Sequence, residues 1–413
     1  MKKPLPNGLN PPPERQRYRV LGAGILSLLL TLGIARFAYT PLLPLMQQQA
    51  GLGLAEGGGL AAINYLGYFC GAIVASLISD LQLKDKLYRI GLIMAVISTA
   101  AMALTDNFWI WALWRFVAGV AGVSGMLLGA GLILNWLMRH NLRHELGIHF
   151  SGAGLGVALS ALVVELFAHF VDWRGQWWLL SGLALLLAIP AWRWMPKPEQ
   201  DPHANQAAHM QDNPPGKLFF STFMLAYFCA GVGYVVSTTF ISAIVEGLPG
   251  MAGQGGWVFM VIGLAAAPAC ILWDFIARRL GYIYSLTLAS GLQILGILLP
   301  LLKPDLTGAI LGSILFGATF IAVVSLVLTM AGRYYPSRPA KMMGKMTLAY
   351  GTAQTLAPAV IGILAEQSGS YNIGLYLAAA VMVLGTLLML LLKPLEARQQ
   401  RLKTANTAKP ATH

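Results

Sequence analysis

From Val20 to Met46 the chain carries a single charge, Arg36, and eleven further stretches of similar apolarity follow it. A helix that spans a bilayer needs about 20 mostly apolar residues, because the hydrocarbon core is ~30 Å thick and each residue rises ~1.5 Å. Hydrocarbon offers no water to a free N–H or C=O, so such a chain folds as spanning helices or as a closed barrel. Runs of this length, without the roughly ten-residue alternating segments of barrel strands, exclude the barrel. Composition agrees: 57% of the 413 residues are hydrophobic and 11% are charged, against roughly 25% charge in soluble domains. A water-soluble globular protein is excluded.

The polar breaks predict twelve helices. In residue numbers these are α1 18–46, α2 57–81, α3 87–104, α4 107–138, α5 145–170 and α6 176–195, then α7 218–246, α8 253–277, α9 282–301, α10 306–334, α11 342–366 and α12 371–392. Residues 1–17 form an N-terminal tail, 18–195 one six-helix bundle, 196–217 a linker, 218–392 a second bundle, and 393–413 a C-terminal tail. The linker, PKPEQDPHANQAAHMQDNPPGK, is too polar to bury a core. The first apolar run is too long for the core of a cleavable signal. Cys70, Cys229 and Cys270 sit in apolar runs with no metal-ligand spacing. No G-x-x-x-x-G-K-[ST] phosphate loop occurs, so ATP is not expected to drive the chain directly.

The net charge of +12 would suggest nucleic acid in a soluble protein. Here the bases are sorted. With the N-terminus placed in the cytoplasm, 24 of the 28 Lys and Arg fall in cytoplasmic segments and only Arg174 and Lys303 in external loops. That asymmetry is the positive-inside signature of a multi-pass protein of a bacterial inner membrane with both termini cytoplasmic. Arg36 and Arg115 remain, inside predicted spans.

The halves repeat. GIARFAYTPLL from Gly33 aligns with GVGYVVSTTFI from Gly231 at an offset of 198, pairing Arg36 with Tyr234 and Thr40 with Thr238. GIHFSGAG from Gly147 aligns with GKMTLAYG from Gly344 at an offset of 197. Two like-oriented halves imply a pseudo-twofold axis along the membrane normal. Asp80 followed by Lys84, and Asp274 followed by Arg278 and Arg279, occupy matching places after α2 and in α8. Arg115 and Gly119 give R-x-x-x-G in α4, and Gly152 and Gly156 lie in α5 with Val157 where a proline could follow.

Twelve helices, a central linker, this repeat and these motifs together resemble the major facilitator superfamily, and the string GIARFAYTPLLPLM from Gly33 looks like its YbfB-like bacterial branch. The resemblance implies an all-α membrane protein with two pseudo-twofold-related six-helix bundles that transports by alternating access. It implies that Asp80, Asp274, Arg278 and Arg279 gate the two halves, and that Arg115 takes part in proton transfer. Glycine and valine at 152, 156 and 157, in place of the G-x-x-x-G-P of many drug–proton antiporters, weaken a multidrug reading.

The residues themselves point to a site. A lone Arg near mid-membrane costs at least ~2.5–3.5 kcal/mol on insertion scales, so Arg36 should face a wet cavity or a partner, and its fork suits an anionic solute. Arg115 and Glu165 lie at similar depth and could pair, or Glu165, the carboxylate deepest in a span, could carry protons. Tyr39 in α1, Asn64 and Tyr68 in α2, Tyr227, Tyr234 and Thr238 on one face of α7, and Tyr350 and Gln354 with Thr347 in α11 supply hydroxyls and amides that a substrate would satisfy. Helix–helix hydrogen bonds would satisfy them equally well. HELGIH, from His144 to His149, spaces its histidines five apart, too far round a helix to share zinc. The expected protein is a monomeric secondary transporter of a small anionic or zwitterionic solute, with protons as the candidate coupling ion, no cofactor, no metal and no nucleic acid. A proton-driven exporter of hydrophobic drugs and a non-transporting receptor or assembly protein are the alternatives.

Overall fold

The computed structural model describes residues 14–140, 142, 146–198, 213–335 and 339–407. The predicted tail before residue 14, most of the linker, residues 408–413, and Arg143, His144 and Arg338 lie outside the described residues. Among those described, eleven helices are each long and apolar enough to cross a membrane. A twelfth span is made by Gly255–Ala266 and Ala269–Leu280, two helices bent by 45°. The chain is a multi-pass, all-α membrane protein of two six-helix bundles.

The helices are α1 Glu14–Ala50, α2 Leu54–Leu77, α3 Leu81–Leu104, α4 Phe108–Arg139, α5 Leu146–Phe167 and α6 Trp173–Trp194. The second half has α7 Lys217–Glu246, the bent α8, α9 Tyr282–Leu302, α10 Leu306–Tyr334, α11 Pro339–Ser368 and α12 Asn372–Thr407. The predicted ends shift where polar turns are helical. α12 runs on past residue 392, because Leu-Glu-Ala-Arg-Gln-Gln-Arg-Leu-Lys is rich in strong helix formers that a hydropathy reading discards. α3 starts at Leu81, not at residue 87, for the same reason. α5 stops at Phe167, three residues short of the predicted end.

Small residues let the halves meet closely. α2 packs along α11 and α5 along α8. A Cβ on Gly58 would sit 2.8 Å from the Gly362 Cα, and one on Gly263 would sit 2.7 Å from the Gly154 carbonyl oxygen. The bend of α8 falls at Pro268, which has no N–H to continue the ladder.

Two spans contain π-helical turns. In α1 the turns Leu29–Phe37 are π-helical, and in α4 so are Ser124–Gly129. The α1 π segment ends with the Ala38 N–H donating to the Gly33 carbonyl at 2.9 Å, just before Pro41, whose missing N–H cannot serve Phe37. Such wide turns are rare and often mark functional places. This one contains Arg36.

Candidate functional site

A cavity lies between the halves, with about 870 Å³ of atom-free space counting its open mouth. Arg36 and Tyr68 line it from the first half, and Tyr227, Tyr234, Tyr350 and Gln354 from the second. From Arg36 it extends past Leu32, Phe150 and Leu328 towards the face where α1 begins.

The opposite face is closed by contacts between halves. Thr40 Oγ1 donates to the Thr238 carbonyl at 2.6 Å, joining two residues that the internal repeat makes equivalent. The Tyr65 hydroxyl lies 3.3 Å from Thr238 Oγ1. Further out, Gln47 Nε2 donates to the Tyr371 hydroxyl at 3.0 Å, and that hydroxyl donates to the Leu54 carbonyl at 2.8 Å.

Arg36 is 5% exposed and has no carboxylate partner among the described residues. Its guanidinium carbon lies 4.3 Å from the Tyr65 ring centre and 4.6 Å from that of Tyr68. Ring faces thus compensate part of its burial through their quadrupoles. Nε and Nη2, the two nitrogens of one edge of the fork, donate to nothing among the described residues. Leaving buried charged donors unmade is costly, so an acceptor brought to this edge would be bound favourably.

The second half supplies a stack of rings opposite. Tyr227 and Tyr350 stack at 4.5 Å, Tyr350 and Tyr234 at 5.7 Å, and Tyr234 and Phe320 at 5.4 Å. Phe69, Phe150 and Phe320 also line the cavity and did not stand out in the sequence. The repeat held a clue: Phe150 and Ala153 are the equivalents of Thr347 and Tyr350 at the offset of 197, and all four line the cavity.

Other predicted site residues sit elsewhere. Tyr39 is not in the lining: its hydroxyl donates to the Gly57 carbonyl at 2.9 Å and its ring lies 4.3 Å from the Arg115 guanidinium. Asn64 is fully buried, and its Nδ2 donates to the Arg115 carbonyl at 2.8 Å, tying α2 to α4. Thr238 belongs to the closed face, its hydroxyl donating back to the Tyr234 carbonyl at 2.9 Å. For the hydroxyls of Tyr39 and Thr238 and the Nδ2 of Asn64, helix packing rather than a cavity supplies the partner, while the Asn64 Oδ1 is buried without one.

Of the two readings left open for Arg115 and Glu165, the pairing does not form. Arg115 turns to α1, where Nη1 donates to the carbonyls of Ala35 at 3.3 Å and Arg36 at 3.4 Å. Glu165 points the other way, across the interface between halves, so that a Cβ on Gly256 would run into it. It lies in the last turn of α5 rather than deep in the span, beside the N-terminus of α8, where Glu246 accepts from the N–H groups of Gly253 and Gly255 at 2.7 Å each. The predicted gate residues bond within their own helices. Asp80 is not at the end of α2 but caps α3, accepting from the Gln82 N–H at 2.9 Å. Asp274 accepts from Arg278 at 2.7 Å, and Arg279 lies 4.3 Å over the Phe275 ring. His149 is fully buried, against Gly24 of α1.

Comparison with known proteins agrees with this architecture. The family model described as "Uncharacterised MFS-type transporter YbfB" matches residues 28–390. The uncharacterized MFS-type transporter YceJ of Bacillus subtilis (strain 168) is 25% identical over 279 residues, 66% of this chain and 70% of that protein. An uncharacterized MFS-type transporter of Yersinia pestis (strain Pestoides F) is 26% identical over 167 residues, 39% of this chain and 43% of its own. Among solved structures, a mutant of the nucleoside transporter NupG superposes with a TM-score of 0.72 at 14% identity, covering 91% of this chain and 99% of that one. At that identity the likeness is one of fold.

Proposed function

Because the chain belongs to the family of MFS-type transporters represented by YbfB, we propose that it is a secondary active transporter of a small organic solute bearing a negative charge. The observation that carries this reading is Arg36, buried in the central cavity with one edge of its fork unpartnered. Tyr68, Tyr227, Tyr234, Tyr350 and Gln354 complete the binding site. A guanidinium fork receives a carboxylate through two parallel N–H···O bonds, which suits an anion or a zwitterion.

Transport proceeds by alternating access of bundles 18–195 and 218–392 about this site. A cavity extending to one face and a seal of Thr40, Thr238 and Tyr371 at the other support it. The sorting of the bases favours a cytoplasmic location for the open face and both termini, in the inner membrane of a bacterium. The cavity then faces inward in this state. Asp274 with Arg278 and Arg279, and Asp80, would exchange partners across the halves only when the inner face closes.

Protons are the proposed coupling ion and Glu165 their carrier. Its contact with the α8 N-terminus bridges the two halves, so it must break when the outer face opens. Arg115 supports Arg36 from behind.

The test is solute counterflow by the purified full chain in proteoliposomes, with thermal stabilisation across a solute panel. Organic anions should register, and Arg36→Ala should remove the response. Response to cations or neutral hydrophobes alone, unchanged by Arg36→Ala, overturns the anion reading. Binding without counterflow overturns the carrier itself.

A further inference from the structure

We propose that the cargo is a planar, conjugated monocarboxylate, with its carboxylate on the Nε–Nη2 edge of Arg36 and its ring laid against the Tyr234–Tyr350 stack. This rests on the reading of Arg36 as an anion anchor and narrows it from three observations.

The first is which donors are free. Nε–H and Nη2 lie on the same side of a guanidinium, and both are buried without a partner among the described residues. Side-on pairing offers one carboxylate two parallel bonds, while the rings of Tyr65 and Tyr68, at 4.3 and 4.6 Å, hold the cation without competing for that edge.

The second is the charge count. Arg36 is the one charged residue among the described lining residues. With no Asp or Glu there, an ammonium group on the solute has no counter-charge, which disfavours zwitterions such as amino acids. A second negative charge on the solute has no second cation to meet. One cation and no anion select a monoanion.

The third is the shape and chemistry of the opposite wall. The ring planes of Tyr227, Tyr350, Tyr234 and Phe320 deviate from neighbour to neighbour by 22°, 25° and 20°. Rings stacked in series cover one another's faces, so Tyr350 and Tyr234 meet a guest with their edges. Edge-to-face contact adds to burial only when the guest offers the negative face of a planar, conjugated ring. A saturated ring of the same size gains the burial without that contact. Gln354 and Thr347, the other polar side chains of the lining, leave room for one uncharged substituent.

The experiment is thermal stabilisation of the purified full chain at pH 7.5, titrated with benzoate, 2-naphthoate, cyclohexanecarboxylate, benzamide and phenylalanine, and repeated with Tyr350→Leu and Arg36→Gln. Benzoate and 2-naphthoate should bind at least about threefold to tenfold more tightly than cyclohexanecarboxylate, the factor that ring pairing adds beyond area. Benzamide and phenylalanine should bind more weakly still. Tyr350→Leu should abolish the preference for benzoate over cyclohexanecarboxylate while retaining carboxylate binding, and Arg36→Gln should weaken all carboxylates. Equal binding of benzoate and cyclohexanecarboxylate overturns the planar cargo and leaves the anion reading standing. Equal binding of benzamide and benzoate overturns both. Phenylalanine binding as well as benzoate overturns the restriction to monoanions, and silence across the panel overturns the proposal. The comparison of solutes on the unsubstituted chain decides the matter even if a variant fails to fold.

Discussion

Arg115→Met separates a clamp from a structural ion. Arg115 is 2% exposed and lends its guanidinium to two carbonyls of the π-helical part of α1, those of Ala35 and Arg36, over distances of 3.3, 3.4 and 3.5 Å. These lengths lie at the outer edge of useful hydrogen bonds. Each carbonyl is therefore assigned the low end of a charged bond, about 1.5 kcal/mol, for about 3 kcal/mol in all. The Tyr39 ring at 4.3 Å adds about 1–2 kcal/mol of cation–π attraction. Against this stands the several kcal/mol required to strip an ion of water, a cost that an apolar side chain of similar volume does not carry. Methionine keeps most of the stem and leaves no large cavity. The expected change in fold stability is therefore within about 1 kcal/mol of zero, whereas Arg115→Ala, which opens a cavity as well, should cost about 3 kcal/mol. Binding behaves differently. Without the clamp the turn that aims Arg36 can relax, and binding must restore it. The loss is bounded by the ~3 kcal/mol of donation and is expected near 1.4 kcal/mol, about tenfold in the Kd of benzoate. Guanidinium chloride or thermal unfolding in detergent, together with benzoate titration, measures both quantities. An unchanged Kd for Arg115→Met, or a stability loss equal to that of Arg115→Ala, refutes the clamp and leaves Arg115 a packing element.

Arg36→Lys should weaken benzoate about tenfold and Arg36→Gln about a hundredfold, because lysine keeps the charge but offers no fork; equal losses in a binding titration would contradict side-on pairing. Glu165→Gln should abolish uptake or efflux driven by a pH gradient in proteoliposomes while leaving solute exchange intact; an unchanged pH dependence removes Glu165 from coupling. Thr40→Val deletes a bond across the closed face worth about 1 kcal/mol, so hydrogen exchange in the stretches of α1 and α7 around Thr40 and Thr238 should rise about fivefold, and no rise would mean the seal rests on packing alone. Gly154→Leu forces a side chain into the α5–α8 contact, where even a Cβ would lie 2.8 Å from the Gly263 carbonyl oxygen, and should destabilise by about 1–3 kcal/mol in a thermal melt; tolerance would show that this seam is loose.

The fold was legible in the sequence because a bilayer imposes two simple demands, long apolar runs and bases kept to one side, and both can be counted. The helix ends were less legible. Leu81 to Lys86 and Lys393 to Thr407 are helical because of propensity, although charged turns lie outside any hydropathy window. The site was legible in part. A charge such as Arg36 stands out against hydrocarbon, the repeat offset brought Tyr234 into view, and helical spacing put Tyr350 on one face with Thr347 and Gln354. Tyr39, Asn64 and Thr238 looked equivalent to the cavity tyrosines because a sequence gives depth and helical face but not the neighbour across the face. Their partners, the carbonyls of Gly57, Arg115 and Tyr234, are backbone atoms that no side-chain pattern records. The destination of Arg115 was hidden for a related reason: the π-helical turn that receives it replaces the regular ladder, and nothing in LLTLGIARF announces that geometry.

The placement of unlike chemistry in the two halves bears on how a solute could drive the cycle. A ligand shifts a conformational equilibrium only by its difference in affinity between the states. The anchor, Arg36, belongs to α1 and the ring stack to α7, α10 and α11, so a solute held by one wall alone gains nothing when the halves move. A solute whose charged end meets Arg36 while its body meets Tyr234 and Tyr350 binds most tightly in the arrangement that brings both walls to it. Arg36 and Tyr234 are repeat equivalents, near the axis about which the halves rock. Divergence of that one pair, a cation in one copy and an aromatic ring in the other, would turn a symmetric seam into a site that senses both ends of its cargo. The expected signature is that shortening the solute to acetate, which reaches Arg36 but not the rings, retains weak binding and loses counterflow. Acetate exchanging as fast as benzoate at equal saturation would show that the anchor alone drives the transition.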